Sequence, residues 1–202
     1  MPDVTDILVR ARVVPVLREA TSEEALAAAR RLHGAGFGCL ELTTSVPGWS
    51  EVVTALRREL PELVTAVGTI STAEDASTAV AVGAEFLVSP HAAPAARSVA
   101  LRAGVPFIEG GLTPSEVAAA AAHGPAKLFP AHLGGPKYLR DLLSVMPRAR
   151  IMPTGGIAPE DVQVWLDAGA VAVGIGSALS GRPDLAQLTK RLLHPNQTGK
   201  TP

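Results

Sequence analysis

Cysteine is almost missing from this chain. Cys39 stands alone among 202 residues, which excludes an intramolecular disulfide and a thiolate metal cage. A charge excess is missing too. The formal net charge is -1 with acids and bases interspersed, so no nucleic-acid face or anionic-membrane surface is written into the sequence. No apolar run approaches the ~20 residues of a membrane span. The start, Met1-Pro2-Asp3-Val4-Thr5-Asp6, lacks the basic head and apolar run of a signal peptide. With the single cysteine, this points to the cytoplasm. Aromatic residues make up only 3%, so the core must be packed from Ala, Val and Leu, with helices close to their neighbours. Lysine is scarce, with four against fourteen arginines.

One pattern recurs along what is present. A helical segment rich in Ala and Leu ends near a glycine, and a short apolar run follows, as in Val82-Gly83-Ala84-Glu85-Phe86-Leu87-Val88 and Ala168-Gly169-Ala170-Val171-Ala172-Val173. The glycine supplies the left-handed residue that ends a helix. The run after it has the continuous apolar character of a parallel strand covered on both faces. Eight strands are expected: Val13–Leu17, Cys39–Leu42, Val64–Val67, Phe86–Val88, Val105–Ile108, Ala126–Phe129, Arg150–Met152 and Ala172–Ile175. A helix is expected after each, and Pro94, Pro114 and Pro159 stand at or just before helix starts. A short helix near Val4–Ala11 precedes the first strand, and the polar tail from about His194 is expected to fray. Eight strand–helix units make a single-domain (β/α)8 barrel over residues 1–202; the alternative, a doubly wound open sheet, lacks its Gly-x-Gly-x-x-Gly after the first strand.

In a barrel, functional side chains gather at the C-terminal ends of the strands. That rule selects Arg18 after strand one, Glu41 in strand two, Thr69 after strand three, His91 after strand four and Glu109 after strand five. It also selects Lys127 in strand six with Phe129, Pro130 and His132 beyond it, Gly155-Gly156 after strand seven and Gly176-Ser177 after strand eight. Lys127 heads the apolar run Ala126-Lys127-Leu128-Phe129-Pro130-Ala131. Burying an ammonium favours its neutral amine, which is a nucleophile. A carboxylate such as Glu41, set among Cys39, Leu40 and Leu42, needs a partner. An amine beside a group that moves protons is what attack on a ketone requires; the same pair serves equally as a structural ion pair. The loops after strands seven and eight are where barrels build a phosphate site from backbone N–H groups and a helix terminus. Gly155, Gly156, Gly176 and Ser177 are its candidates, against a plain turn-making role. Arg18 can hold a carboxylate by a two-pronged contact. His91 and His132 suit hydrogen bonds to substrate hydroxyls better than a metal, since no His-x-x-x-His spacing supports one. No metal and no cofactor are expected.

With these residues assembled, the chain resembles the 2-keto-3-deoxy-6-phosphogluconate aldolase family, class I aldolases on a (β/α)8 barrel. The most specific segments are Lys127-Leu128-Phe129-Pro130-Ala131 and Pro153-Thr154-Gly155-Gly156-Ile157. Val14-Pro15-Val16-Leu17-Arg18, Leu40-Glu41-Leu42-Thr43, Gly68-Thr69 and Gly174-Ile175-Gly176-Ser177 fall in the same order. The resemblance implies that Lys127 forms the Schiff base, Glu41 is the acid/base, Arg18 and Thr69 hold the pyruvyl end, and Phe129 and Pro130 line the substrate. It implies phosphate binding by Gly155, Gly156, Gly176 and Ser177, a phosphorylated 2-keto acid substrate and a homotrimer. The run Thr43-Thr44-Ser45-Val46-Pro47-Gly48-Trp49 lacks the arginine many members carry there. With Gly135-Pro136-Lys137-Tyr138 it is more similar to the branch acting on 2-keto-3-deoxy-6-phosphogalactonate. Ala66, His91, Glu109 and His132 also depart from the family pattern, and these changes are expected around the mouth, where they bear on the substrate. A phosphosugar isomerase or epimerase and a non-catalytic phosphometabolite-binding barrel are the rival readings; 4-hydroxy-2-oxoglutarate is a further possible substrate.

Overall fold

The computed structural model describes residues 3–193. The tail expected to fray from about residue 194 lies outside them. Eight parallel strands form one sheet: β1 (Val13–Leu17), β2 (Cys39–Thr43), β3 (Val64–Gly68), β4 (Leu87–Val88), β5 (Phe107–Gly111), β6 (Ala126–Leu128), β7 (Ile151–Pro153) and β8 (Val173–Ile175). Hydrogen-bonded neighbours run in chain order from β1 to β7, and β8 pairs with the other edge of β1. Thr154 bridges Gly174, and the Val171 N–H donates to Ile151 O at 2.9 Å, so the β7 and β8 edges meet. The chain is a (β/α)8 barrel.

The helices are α1 (Val4–Ala11) before the barrel, then α2 (Ser22–Gly34), α3 (Trp49–Glu59), α4 (Ala73–Ala81), α5 (Pro94–Arg102), α6 (Pro114–Ala121), α7 (Gly135–Val145), α8 (Val162–Asp167) and α9 (Leu185–Leu193). Their starts follow local chemistry. Thr21 and Thr72 accept the N–H of the third residue on, and Thr113 forms a full capping box with Glu116. Gly36, Gly83, Gly104 and Gly169 follow helix ends with φ of +110, +86, +70 and +102, as the repeating helix–glycine–strand pattern requires.

Side chains alternate across each strand, and this builds two cores. Leu17, Leu40, Leu42, Leu87 and Phe107 face outward and pack on Ala25, Ala29, Ala76, Ala79, Ala96 and Ala100 of the helices. Alanine on the helix side allows the close approach that the lack of aromatics required. Inside the barrel, Val14, Cys39, Ala66, Phe86, Val88, Ile108 and Met152 meet Val4, Ile7 and Leu8 of α1. Helix α1 therefore closes one end of the barrel, and the strands' C-terminal ends remain for chemistry.

Two expected placements are corrected. Strand five was expected over Val105–Ile108, with Glu109-Gly110-Gly111 beyond it. Instead Glu109, Gly110 and Gly111 pair with Ala126, Lys127 and Leu128, inside β5. Val105 belongs to the preceding helix end, where its N–H donates to Ala100 O at 2.9 Å. Glu109 then falls on the outward side of the sheet, between the inward Ile108 and Gly110. It faces α5 and does not reach the mouth. The second correction concerns the helix termini expected at the phosphate loops. A 3-10 turn (Pro159–Asp161) precedes α8, and turns fill the chain from Ser177 to Gly181 before α9 begins at Leu185. The Gly-rich loops after β7 and β8 present turn backbone rather than the first turn of a long helix.

Candidate active site

Lys127 and Glu41 both point into the barrel. The Lys127 Nζ lies 3.2 Å from Glu41 Oε1 and 3.5 Å from Oε2, with side chains 5% and 1% exposed. Room for the carboxylate comes from Gly68, where a Cβ would overlap Glu41 Oε1, Cδ and Cγ. Phe129 lies beside the amine, with Nζ 5.6 Å from its ring centre. A buried pair of this kind is weak evidence for stability, because desolvating two charges offsets their attraction. Its placement at the functional end of a barrel points instead to chemistry. Cys39, two residues before Glu41 on the same face of β2, is no rival nucleophile: burial pushes its thiol far up, and the Glu85 and Glu41 carboxylates add to this, so it stays protonated.

On one side of this pair, strands β1 to β4 supply a polar group. Arg18 donates to Ser45 Oγ at 3.1 Å and to Thr69 Oγ1 at 3.2 Å. Thr43 Oγ1 donates to Leu17 O at 2.9 Å, joining the ends of β1 and β2. Thr69 holds φ +63, a left-handed conformation that a β-branched residue rarely adopts. Its carbonyl accepts from Thr44 Oγ1 at 3.2 Å. His91 lies on the same side, its Nε2 3.3 Å from Ser71 Oγ and its Nδ1 3.0 Å from Ala92 O.

Strands β6 to β8 build the other side. Gly155 and Gly156 follow β7 with φ +97 and +69, so the left-handed turn there requires glycine twice. The Ala131 N–H donates to Thr154 O at 2.9 Å and the His132 N–H to Gly155 O at 3.1 Å, which binds this turn to the loop after β6. The His132 ring packs so closely on Gly156 that a Cβ there would come within 2.7 Å of it. Gly176 has open space at its Cβ position, and Ser177 begins the turns that follow. His91 and His132 therefore stand on loops from opposite sides of the barrel. No group of three or more His, Cys, Asp or Glu lies close enough to hold a metal among the described residues.

The structure adds one residue that sequence reasoning missed. Thr154 is 4% exposed, and its Oγ1 has no hydrogen-bond partner among the described residues. It points inward, against Gly174, whose hypothetical Cβ would strike the Thr154 side chain. An unpaired buried hydroxyl costs about 1–3 kcal/mol, which a ligand hydroxyl or phosphate oxygen would recover. The signal lies in the inward alternation of strand seven, which carries on through Met152 to Thr154.

A (β/α)8 barrel with a buried amine–carboxylate pair and polar loops at the strand ends falls among barrel enzymes, and its named relatives make it a carbon–carbon lyase of that class. The family described as KDPG and KHG aldolase matches residues 4–190, and the chain belongs to that family. A 2-dehydro-3-deoxy-phosphogluconate aldolase of Treponema pallidum is 36% identical over 160 residues, 78% of this chain and 76% of that protein. A 2-dehydro-3-deoxy-6-phosphogalactonate aldolase of Escherichia coli is 28% identical over 171 residues, 83% of each chain. The solved KDPG aldolase of Legionella pneumophila, with pyruvate captured as a covalent carbinolamine, superposes with a TM-score of 0.82 at 26% identity, covering 94% of this chain and 96% of that one.

Proposed function

We propose that this chain is a class I aldolase that cleaves 2-keto-3-deoxy-6-phosphogluconate reversibly to pyruvate and glyceraldehyde 3-phosphate. The observation that carries the reading is the Lys127 amine held 3.2 Å from the Glu41 carboxylate inside the barrel. The free amine attacks the C2 ketone once Glu41 has taken its proton. Glu41 returns that proton as the carbinolamine loses water, leaving an iminium. Deprotonation of the C4 hydroxyl then breaks the C3–C4 bond, and its electrons pass into the iminium to give an enamine. The aldehyde departs, C3 takes up a proton, and water releases pyruvate from Lys127. No metal or cofactor takes part.

Arg18 and Thr69 hold the carboxylate end, and His91 joins them because it lies on the same side through Ser71. Phe129 and Pro130 wall the reacting carbons. Gly155, Gly156, Gly176 and Ser177 take the phosphate, with His132 against them. Thr154, unpaired and inward, takes a substrate hydroxyl. Remote phosphate binding fixes the reacting bond over the amine, and such orientation lowers the barrier by entropy already spent. A cytoplasmic homotrimer accompanies this reading. No helix among the described residues is long and apolar enough to cross a membrane, and Leu101 and Val145 leave apolar surface at 64% and 72% exposure.

The galactonate epimer is a second reading favoured by a specific contact. Arg18 reaches Ser45, in the run where many family members carry an arginine, and so takes the place of that cation. Pyruvate release from each epimer and from 4-hydroxy-2-oxoglutarate, followed by NADH oxidation through lactate dehydrogenase, ranks the substrates. Lys127→Met is expected to lose roughly a thousandfold or more in kcat on all of them. Retention of activity by that variant would end the Schiff-base reading, and no pyruvate from the parent on any of the three substrates would leave the isomerase or binding-barrel alternatives.

A further inference from the structure

Glu109 and His91 come from different strands, and the loop between β4 and α5 joins them. Ala93 is the N-cap of α5 and offers no side-chain cap, so the first N–H groups of that helix need another acceptor. The Glu109 carboxylate supplies it from the neighbouring strand. Its Oε1 accepts from the Ala93 N–H at 2.8 Å, and its Oε2 pairs with Arg97 Nη1, one turn along α5. Glu109 is 3% exposed, so both oxygens are committed to this one helix end. The loop is fixed at its other end by Ser89, whose N–H donates to Ile108 O at 3.0 Å. The Ser89 hydroxyl donates to the His91 carbonyl at 2.6 Å. Between these anchors the backbone of Pro90 lies so close to Gly110 that a Cβ there would overlap it. Only Ala92 separates His91 from Ala93.

We propose that Glu109 is a positioning residue: by holding Ala93 and Arg97 it sets the β4–α5 loop so that His91 meets Ser71 on the carboxylate side of the site. A buried ion pair gives little net stability relative to apolar side chains of the same volume, whereas holding a loop in one place is a use it serves well. The two departures from the family pattern, at positions 91 and 109, then form one device. The inference rests on the reading that Arg18, Thr69 and His91 hold the substrate carboxylate.

The test uses exchange of the pyruvate methyl protons with solvent deuterium, which runs through the Lys127 enamine and needs only the carboxylate half of the site. Glu109→Gln keeps an acceptor for Ala93 but loses the charge facing Arg97. A Glu109→Met, Arg97→Met double variant keeps the bulk and strands no charge, so a folded protein is available either way. In both, KM for pyruvate is expected to rise about fivefold, the factor one lost hydrogen bond is worth, with kcat for exchange within about twofold of the parent. Inhibition by inorganic phosphate, read on the cleavage reaction, is expected to stay unchanged. His91→Ala is expected to raise KM equally, and adding Glu109→Gln to it to raise KM no further. If His91→Ala raises KM while the Glu109 variants do not, or if the two effects add, the positioning role is wrong. If kcat, phosphate inhibition and melting temperature all fall together, Glu109 serves folding alone and the proposal is overturned. If His91→Ala leaves KM unchanged, the carboxylate contact assigned to His91 fails, and the proposal falls with it.

Discussion

Gly68 is where the site has least room, and Gly68→Ala tests the arrangement of Lys127 and Glu41 without replacing either. The residue ends β3, opposite Thr43 of β2, and faces the barrel interior. A methyl group there would lie 2.6 Å from Glu41 Cγ and overlap the carboxylate itself. Glu41 is 1% exposed, and the overlap forces its carboxylate to swing away from Lys127. Overpacking of this kind costs about 1–3 kcal/mol. Separating the buried amine from its partner costs about 3–5 kcal/mol. One displacement produces both, so they do not add, and about 3 kcal/mol is the expected loss. For a chain of this size that is a fall of about 6–12 °C in Tm. Loss of a positioned acid/base should also lower kcat by about 10²–10⁴-fold. Thermal unfolding by circular dichroism and pyruvate release measured side by side check both numbers. A Gly68→Ala protein melting within about 2 °C of the parent and turning over within about twofold of it would refute the packing argument.

Thr154→Val removes a hydroxyl that no described residue satisfies, so Tm should hold or rise by a few degrees while kcat/KM falls about tenfold; unchanged kcat/KM would remove Thr154 from the site. Gly176→Ala fills open space and should leave Tm unchanged, yet raise KM for a phosphorylated substrate several-fold and spare 4-hydroxy-2-oxoglutarate; equal effects on both substrates would argue against a phosphate at this loop. Backbone N–H groups of Thr113 and Leu112 hold the Glu116 carboxyl below the usual carboxylate range. A lowered folded value contributes stability that is present above the unfolded value of ~4.3 and is lost as pH falls through the folded one. Urea unfolding between about pH 6 and 3 should therefore show a shallower acid loss in Glu116→Gln than in the parent, and identical slopes would contradict the capping box.

The barrel was legible because its signals are local and repeated. Each Ala-rich helix closes on a glycine and releases a short apolar strand, and eight such units leave few topologies. The position of Lys127 was legible for a similar reason, since a lysine at the head of an apolar strand has few places to go. Glu109 was misread because strand five runs on through two glycines, and a shift in where a strand ends changes which residues count as loop. Alternation, not proximity to the strand end, decides that its carboxylate faces α5. Gly155-Gly156 and Gly176-Ser177 do follow β7 and β8, but the connection of these loops to helix starts depends on turns such as Pro159–Asp161 that no short motif announces. Thr154 lay in the open, and only the burial of its unpaired hydroxyl gives it a role.

The central claim is that Lys127 is the nucleophile. Incubation with pyruvate and borohydride, followed by proteolysis and mass spectrometry, reads it directly. The expected result is one added pyruvyl group, reduced onto the peptide that contains Lys127, with loss of activity in proportion to labelling. Labelling should vanish in Lys127→Met and persist in Gly176→Ala. An unlabelled Lys127 peptide in protein that still releases pyruvate from its substrate would contradict the account.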